Sequence, residues 1–342
     1  MRSKIWLALP LVVTFGCKKP LPVETAAPVE EPPAGKAMVK APKVADKENP
    51  DADDRALAEK TSLYVRECLN AFGRSIFDSE ARYLSWVDPK TGPTGKERQI
   101  YGVLKPWGDP KKCRKAVDDA KAKGPKDAAL HGLAEKYATA VEALVPTLET
   151  AHRYYDRKDY VEDRFAKGKE LHPTLVAGFE SFAKADAAFG ARVSEIQEDL
   201  DLRDLARLEK SEGRKARWHV KKTLLTGKAL VAEAKKDFAK LDPEALAAAV
   251  RTYEEAVEGL SAIGKSDDPD ASNVSSYTSS SEGLLKVAKD TLRRKRDGKP
   301  MSKRELANWT MPRSSVDGSP AKIVAAWNDV VDSHNRILWA RR

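Results

Sequence analysis

Between residues 128 and 208 apolar side chains recur at intervals of seven, and that repeat restricts the chain to one class of fold. Leu130, Tyr137, Leu144 and Ala151 form one stripe, and Val141, Leu148 and Tyr155 form a second. Further along, Leu175, Phe182, Phe189 and Ile196 form a stripe with Phe179, Val193 and Leu200 as its companion. Seven residues make about two turns at 3.6 residues per turn, so each pair of stripes is the narrow apolar face of a helix packed lengthwise on others. No segment alternates with period two for long. The pattern predicts an all-α chain, an elongated bundle of long antiparallel helices. Pro146 lies inside the first of these helices and predicts a kink there.

The remaining segments fit the same reading. Leu57, Tyr64, Cys68, Phe72 and Ile76 predict a helix over Arg55–Val87, ended by Asp88-Pro89 and Gly92-Pro93-Thr94-Gly95. Pro106 to Pro110 punctuates an irregular stretch, and a short helix is expected over Arg114–Lys121. The second striped helix should run from about Leu171 to Leu208, with Gly213 breaking the chain before a helix that carries Trp218, Leu224, Leu225, Val231 and Phe238. Asp242-Pro243-Glu244 is a start signal, with Asp as N-cap and Pro in the first helical position. It precedes a stripe through Leu246, Val250, Tyr253, Val257, Leu260 and Ile263. Residues 264–281, rich in Ser, Asp, Asn and Gly, read as a mobile polar loop before a shorter helix over 282–296. Ser319-Pro320 opens a last helix expected to bury Ile323, Trp327, Val331 and Leu338.

The amino terminus bears on location. Met1-Arg2-Ser3-Lys4 is basic, Ile5 to Phe15 is almost wholly apolar, and Gly16-Cys17 follows. About eleven apolar residues are too few to span a bilayer, which takes roughly 20, so residues 1–16 read as a secretory signal peptide. A cysteine directly after the small residue resembles a bacterial lipobox, with Thr14 and Phe15 where a leucine and a small residue are usual. On that reading Cys17 is acylated and anchors the chain, each buried methylene adding roughly 0.8 kcal/mol. The alternative is an ordinary cleaved signal with a chance cysteine. Residues 17–54 hold Pro20, Pro22, Pro28, Pro32, Pro33, Pro42 and Pro50 and no aromatic residue, and they read as a disordered tether. The helical domain is then 55–342, in the periplasm and held most simply at the outer membrane.

Of the three cysteines, Cys17 is absorbed by the lipid reading, leaving Cys68 and Cys113 in an exported domain where oxidation is permitted. Either they pair or they are two buried thiols. The formal charge of +9 is spread along the chain, which argues for a solvated surface rather than a nucleic-acid footprint. It leaves open a salt-screened attraction to anionic lipid or lipopolysaccharide.

Catalytic signals are weak. Gly95-Lys96 lacks the upstream glycine and the following Ser or Thr of a phosphate loop, holding Lys90 and Glu97 there instead. Ser181-Phe-Ala-Lys184 and Lys90-Thr91-Gly92 match two penicillin-acylase motifs in reversed order with the third missing. None of His131, His152, His172, His219 and His334 forms a His-Glu-x-x-His pair or has a ligand-spaced cysteine. His152 with Asp156 four residues on reads as one hydrogen bond on a shared helix face, so neither a metal nor another cofactor is expected.

The densest cluster of aromatic and charged residues runs from Tyr154 to His172, at the corner between the two striped helices. Its tyrosines either cap the bundle end or, with its charges, form a recognition surface of Tyr154, Tyr155, Asp159, Tyr160, Lys167, Lys169 and His172. The segments Tyr64-Val-Arg-Glu-Cys68-Leu-Asn70, Arg82-Tyr-Leu-Ser-Trp86-Val and Gly92-Pro-Thr-Gly95-Lys-Glu97 join this corner in a wider pattern. With Tyr154-Tyr155, Asp159-Tyr160 and Ala166-Lys-Gly-Lys-Glu-Leu-His172-Pro, they resemble the YiiG-like family of bacterial envelope lipoproteins, a domain of unknown function. The resemblance covers about 55–342, implies a helical, membrane-tethered envelope protein, and carries over no catalytic residue. The leading functional expectation is a non-enzymatic binding or scaffolding module with an envelope protein or glycan as partner. The alternative is an enzyme acting on envelope polymers through the acidic cluster near Asp159, whose carboxylates would have to face a cleft.

Overall fold

The computed structural model describes residues 50–236, 238, 240–298, 302–309, 311 and 314–337. The expected signal peptide, the expected tether up to residue 49 with Cys17, and Leu338 lie outside the described residues. Among those described the chain is all-α, with no strand beyond an isolated bridge between Asp88 and Gly92. It divides into two compact units, one running to Leu200 and the other from Asp201.

The first unit opens with α1 (Pro50–Tyr64), which starts five residues before the expected boundary at 55. Asp51 and Asp53 in its first turn suit the positive end of the helix dipole, so the end of the presumed tether is the start of the fold. Helix α2 (Asn70–Leu84) continues it after a π-helical segment, Val65–Leu69. The reason lies in the spacing. Tyr64, Cys68, Phe72 and Ile76 recur every four residues, a stripe that drifts about 40° per step around a helix of 3.6 residues per turn. The wider π turn takes up the drift, and all four side chains are fully buried.

Cys68 sits in that segment, joined by a disulfide to Cys113 of α3 (Pro110–Lys121), with Cα atoms 4.8 Å apart. Asp109 caps α3 by accepting the Lys111 N–H at 3.0 Å, with Pro110 at the first helical position. Arg114 then forks onto Glu135 and Glu142 of α4 (Ala128–Asp156). Every member of the stripes in α4 is buried, and the helix runs through Pro146 without a break. After a single turn, α5 (Tyr160–Asp163), the stripes of α6 (Ala166–Glu212) are buried likewise. This helix begins earlier than the expected 171 and contains Pro173.

Position 186 belongs to the same stripe as Phe179 and Val193, and it is an aspartate. Its carboxylate lies beside Gly73, where an added Cβ would meet Oδ1 at 3.5 Å, and burial pushes its pKa up to about 6. The unfolded value is near 3.9, so between about pH 4 and 6 the folded chain holds a proton that the unfolded chain has lost. Stability from this group is therefore full below pH 4 and falls as pH rises to 6. Asp186→Asn should remove that slope, leaving the variant more stable at pH 7 by about 2 kcal/mol once solvent screening is allowed for. Urea unfolding at pH 4 and pH 7 measures the difference.

In the second unit, Gly213 takes φ +77° and ends α6 before α7 (Ala216–Ala234). Asp242 caps α8 (Pro243–Ile263) by accepting the Glu244 N–H at 2.9 Å. The expected polar loop is shorter than the sequence suggested. A 3₁₀ turn, Ala271–Val274, leads directly into α9 (Ser275–Arg296). The serines that read as loop lie on a helix pinned by Tyr277, which is fully buried and donates its hydroxyl to the Val220 carbonyl. A short α10 (Lys303–Asn308) carries a capping box between Ser302 and Glu305. The last helix, α11 (Pro320–Asn335), buries Ile323, Trp327 and Val330, whereas Val331 is half-buried. Positions 323, 327 and 330 keep the four-then-three spacing that 331 breaks.

Candidate functional site

The corner between α4 and α6 is built as a plug. Tyr154, Tyr155 and His172 are buried, at 5, 6 and 7% exposure. Tyr155 meets Tyr83, Trp86, Tyr154 and Tyr160 with ring centroids 4.9–6.3 Å apart. His172 faces the Pro89 carbonyl with Nε2 at 3.2 Å. A carbonyl can only accept, so Nε2 carries the hydrogen and Nδ1 accepts from the Tyr83 hydroxyl at 2.9 Å. Burial pushes the Tyr83 hydroxyl up to about 12, so it remains a donor at any physiological pH.

The turn itself is backbone under strain. Lys158, Arg164 and Phe165 take φ of +60°, +52° and +68°, the left-handed region that side chains disfavour. Lys158 closes α4 in a Schellman motif: Asp159 N–H donates to Tyr154 O and Lys158 N–H to Tyr155 O. That geometry favours glycine over lysine at this position, so Lys158→Gly should stabilise the fold by about 1 kcal/mol, read as a rise in the urea midpoint. Phe165 is held by burial, stacked on Tyr160 at 4.9 Å and lying against Gly95.

The acidic cluster is placed differently from a catalytic pair. Asp163 accepts the Tyr154 hydroxyl at 2.7 Å and the Lys167 N–H at 2.9 Å. Desolvation opposes its ionisation, but these hydrogen bonds outweigh it and hold the carboxyl below its ordinary range. Asp156, Asp159 and Glu162 are exposed around the turn. Lys167 pairs with Glu170 at 2.6 Å, Lys169 is exposed, and Tyr160 is half-buried. The seven candidate recognition residues therefore split between the core and the surface rather than forming one face. Three of them are inside, because aromatic side chains at a helix corner bury more area by facing the bundle than by facing water.

A feature that sequence reading passed over lies beside the plug. Residues 99–109 run along α2 as an extended strap. Ser79 Oγ both accepts the Leu104 N–H and donates to the Leu104 carbonyl, each at 3.1 Å, and Ser75 Oγ accepts the Trp107 N–H at 3.4 Å. Trp86 Nε1 donates to Gly102 O at 3.0 Å, and His152 Nδ1 donates to Val103 O at 3.2 Å. Gly102, at φ +64°, lies so close to Tyr155 that an added Cβ would sit 2.7 Å from its Cβ. The strap holds Trp107 out at 70% exposure and Tyr101 at 46%. Its only sequence signal is small and hydroxyl residues at matched places on two segments.

A buried plug, a strap bonded to α2, and a disulfide between the π segment and α3 together mark an all-helical domain. The family model described as "Protein of unknown function (DUF3829)" matches residues 55–336, and the chain belongs to this family. It is 32% identical over 321 residues to "Uncharacterized protein YiiG" of Escherichia coli (strain K12), covering 92% of this chain and 88% of that protein. No solved structure matches.

Proposed function

We propose that the chain is an exported, lipid-anchored envelope protein that acts as a non-enzymatic binding or scaffolding module. The observation that carries this reading is the Cys68–Cys113 disulfide, both of whose cysteines are fully buried. Such a bond belongs to oxidising compartments, since cytosolic reductants keep thiols reduced. The basic start, apolar run and Gly16-Cys17 supply the route and the anchor. Among the described residues no helix is long and apolar enough to cross a membrane, so the reading assigns attachment to acyl chains on Cys17. The envelope-polymer enzyme is the weaker reading, because Asp163 is committed to the turn and its acidic neighbours face solvent.

Binding is assigned to the exposed aromatic side chains of the strap, since an exposed Trp with its backbone already hydrogen-bonded loses less entropy on contact. A photo-crosslinking residue at Trp107, used in living cells, tests it. The expected result is one dominant envelope adduct, absent when the same residue replaces the exposed Glu198. Equal adducts from both positions would remove the binding role.

A further inference from the structure

Charge is distributed unevenly between the two units. Residues 201–342 hold 28 basic and 21 acidic side chains, so most of the +9 resides there. Part of the excess gathers in a cleft of about 710 Å³ between α8 and α9. Lys289, Arg293 and Arg296, spaced at i, i+4 and i+7, line it from one face of α9, and Arg251 faces them from α8. Lys295 joins the lining, and the acidic members are Glu244 and Glu254. Beneath the charges the cleft is apolar, lined by Val250, which is 3% exposed, and Leu292.

The helix dipole accounts for only part of this. Cations favour the last turn of a helix, which explains Arg293 to Arg296. Lys289 lies a turn further in, where it pairs with Glu254. Arg251 stands more than two turns into α8, beyond the reach of the dipole at either end. The lining holds five cations and two carboxylates over an apolar floor. Just outside it, Asp290 meets Arg293 at 3.0 Å and Asp297 meets Arg296 at 2.7 Å, both pairs largely exposed. The cation still in excess suits an anion that also carries apolar surface.

We propose that the α8–α9 cleft binds a phosphate-bearing amphiphile, its phosphate held by Arg251 and Arg293 and its apolar portion lying over Val250 and Leu292. This deepens the binding-module reading and rests on it for the presence of such a ligand at an envelope surface. The ligand class is a phospholipid or phosphoglycolipid, and the test separates it from a soluble phosphate ester that lacks the apolar portion.

The experiment uses the full chain carrying Cys17→Ser, so that no acyl anchor contributes. Titration calorimetry with monomeric dihexanoylphosphatidylglycerol, its phosphatidylcholine counterpart and glycerol phosphate reads the site. Binding of the anionic lipid, at least tenfold weaker in Arg251→Glu/Arg293→Glu and within twofold of the parent in Lys111→Glu/Lys112→Glu, is the expected result. Stronger binding of the lipid than of glycerol phosphate is expected, because only the lipid covers the apolar floor; equal binding would show that the phosphate alone is held and would overturn the amphiphile. Equal loss in both double variants, binding of the neutral lipid as strongly as the anionic one, or no binding by the parent would overturn the proposal. If the cleft fails while the Trp107 probe still captures its partner, only the ligand assignment falls; if both fail, the binding module falls with it.

Discussion

Removing the Cys68–Cys113 bond should lower the free energy of unfolding by about 4 kcal/mol. The bond closes a sequence separation of 45, and in the chain-entropy model a loop of that length restrains the unfolded ensemble by roughly that amount. Native strain often reduces the gain, but here the local structure accommodates the bond. The π segment turns Cys68 inward, the Tyr137 hydroxyl donates to the Cys68 carbonyl at 3.2 Å, and both cysteines are fully buried. A Cys68→Ala/Cys113→Ala variant avoids leaving an unpaired thiol, and urea unfolding compares it with the parent. Burial adds a kinetic signature. Reductant should leave the folded protein unchanged and act only once the chain opens, so the parent's loss of stability under reductant appears after incubation in urea. A change below about 1 kcal/mol would mean that helix packing alone fixes α3 on its neighbours.

The second large effect is expected at the plug. Tyr155→Ala should cost about 3–5 kcal/mol, the range for emptying a large aromatic site in a packed core. Tyr155 touches rings from α2, from α4 and from the turn after it, and it supports Gly102 of the strap. Its loss should therefore loosen several elements together. Hydrogen exchange of the Leu104 and Trp107 amides, both bonded to serines of α2, should rise along with the fall in global stability. Tyr155→Phe keeps the rings and should stay within about 1 kcal/mol of the parent. If Tyr155→Ala behaved like a surface change, within about 0.5 kcal/mol, the corner would be peripheral to the fold.

What could be read in advance follows the range of the interactions. The seven-residue stripes of α4 and α6 depend on local periodicity, and each of their members is buried. The starts at Asp242-Pro243 and Ser319-Pro320 are local too, and both cap as the residues predict. The π segment, the strap and the early part of α9 depend on distant partners: Cys113 for Cys68, Ser75 and Ser79 for the strap, Val220 for Tyr277. A serine-rich run looks like loop until a buried tyrosine fixes it as helix, with Ser281 Oγ returning to the Tyr277 carbonyl at 2.8 Å. The corner was visible as a cluster of side chains, but its composition could not say which of them face inward. Tyr154, Tyr155 and His172 do, and Asp159 and Lys169 do not.

The claim of an exported, anchored and oxidised protein is tested most directly by mass spectrometry of the chain isolated from cells after alkylation without reductant. The expected products are an amino-terminal peptide beginning at acylated Cys17 and a linked pair of peptides containing Cys68 and Cys113. An unprocessed amino terminus at Met1, with both Cys68 and Cys113 alkylated, would contradict it.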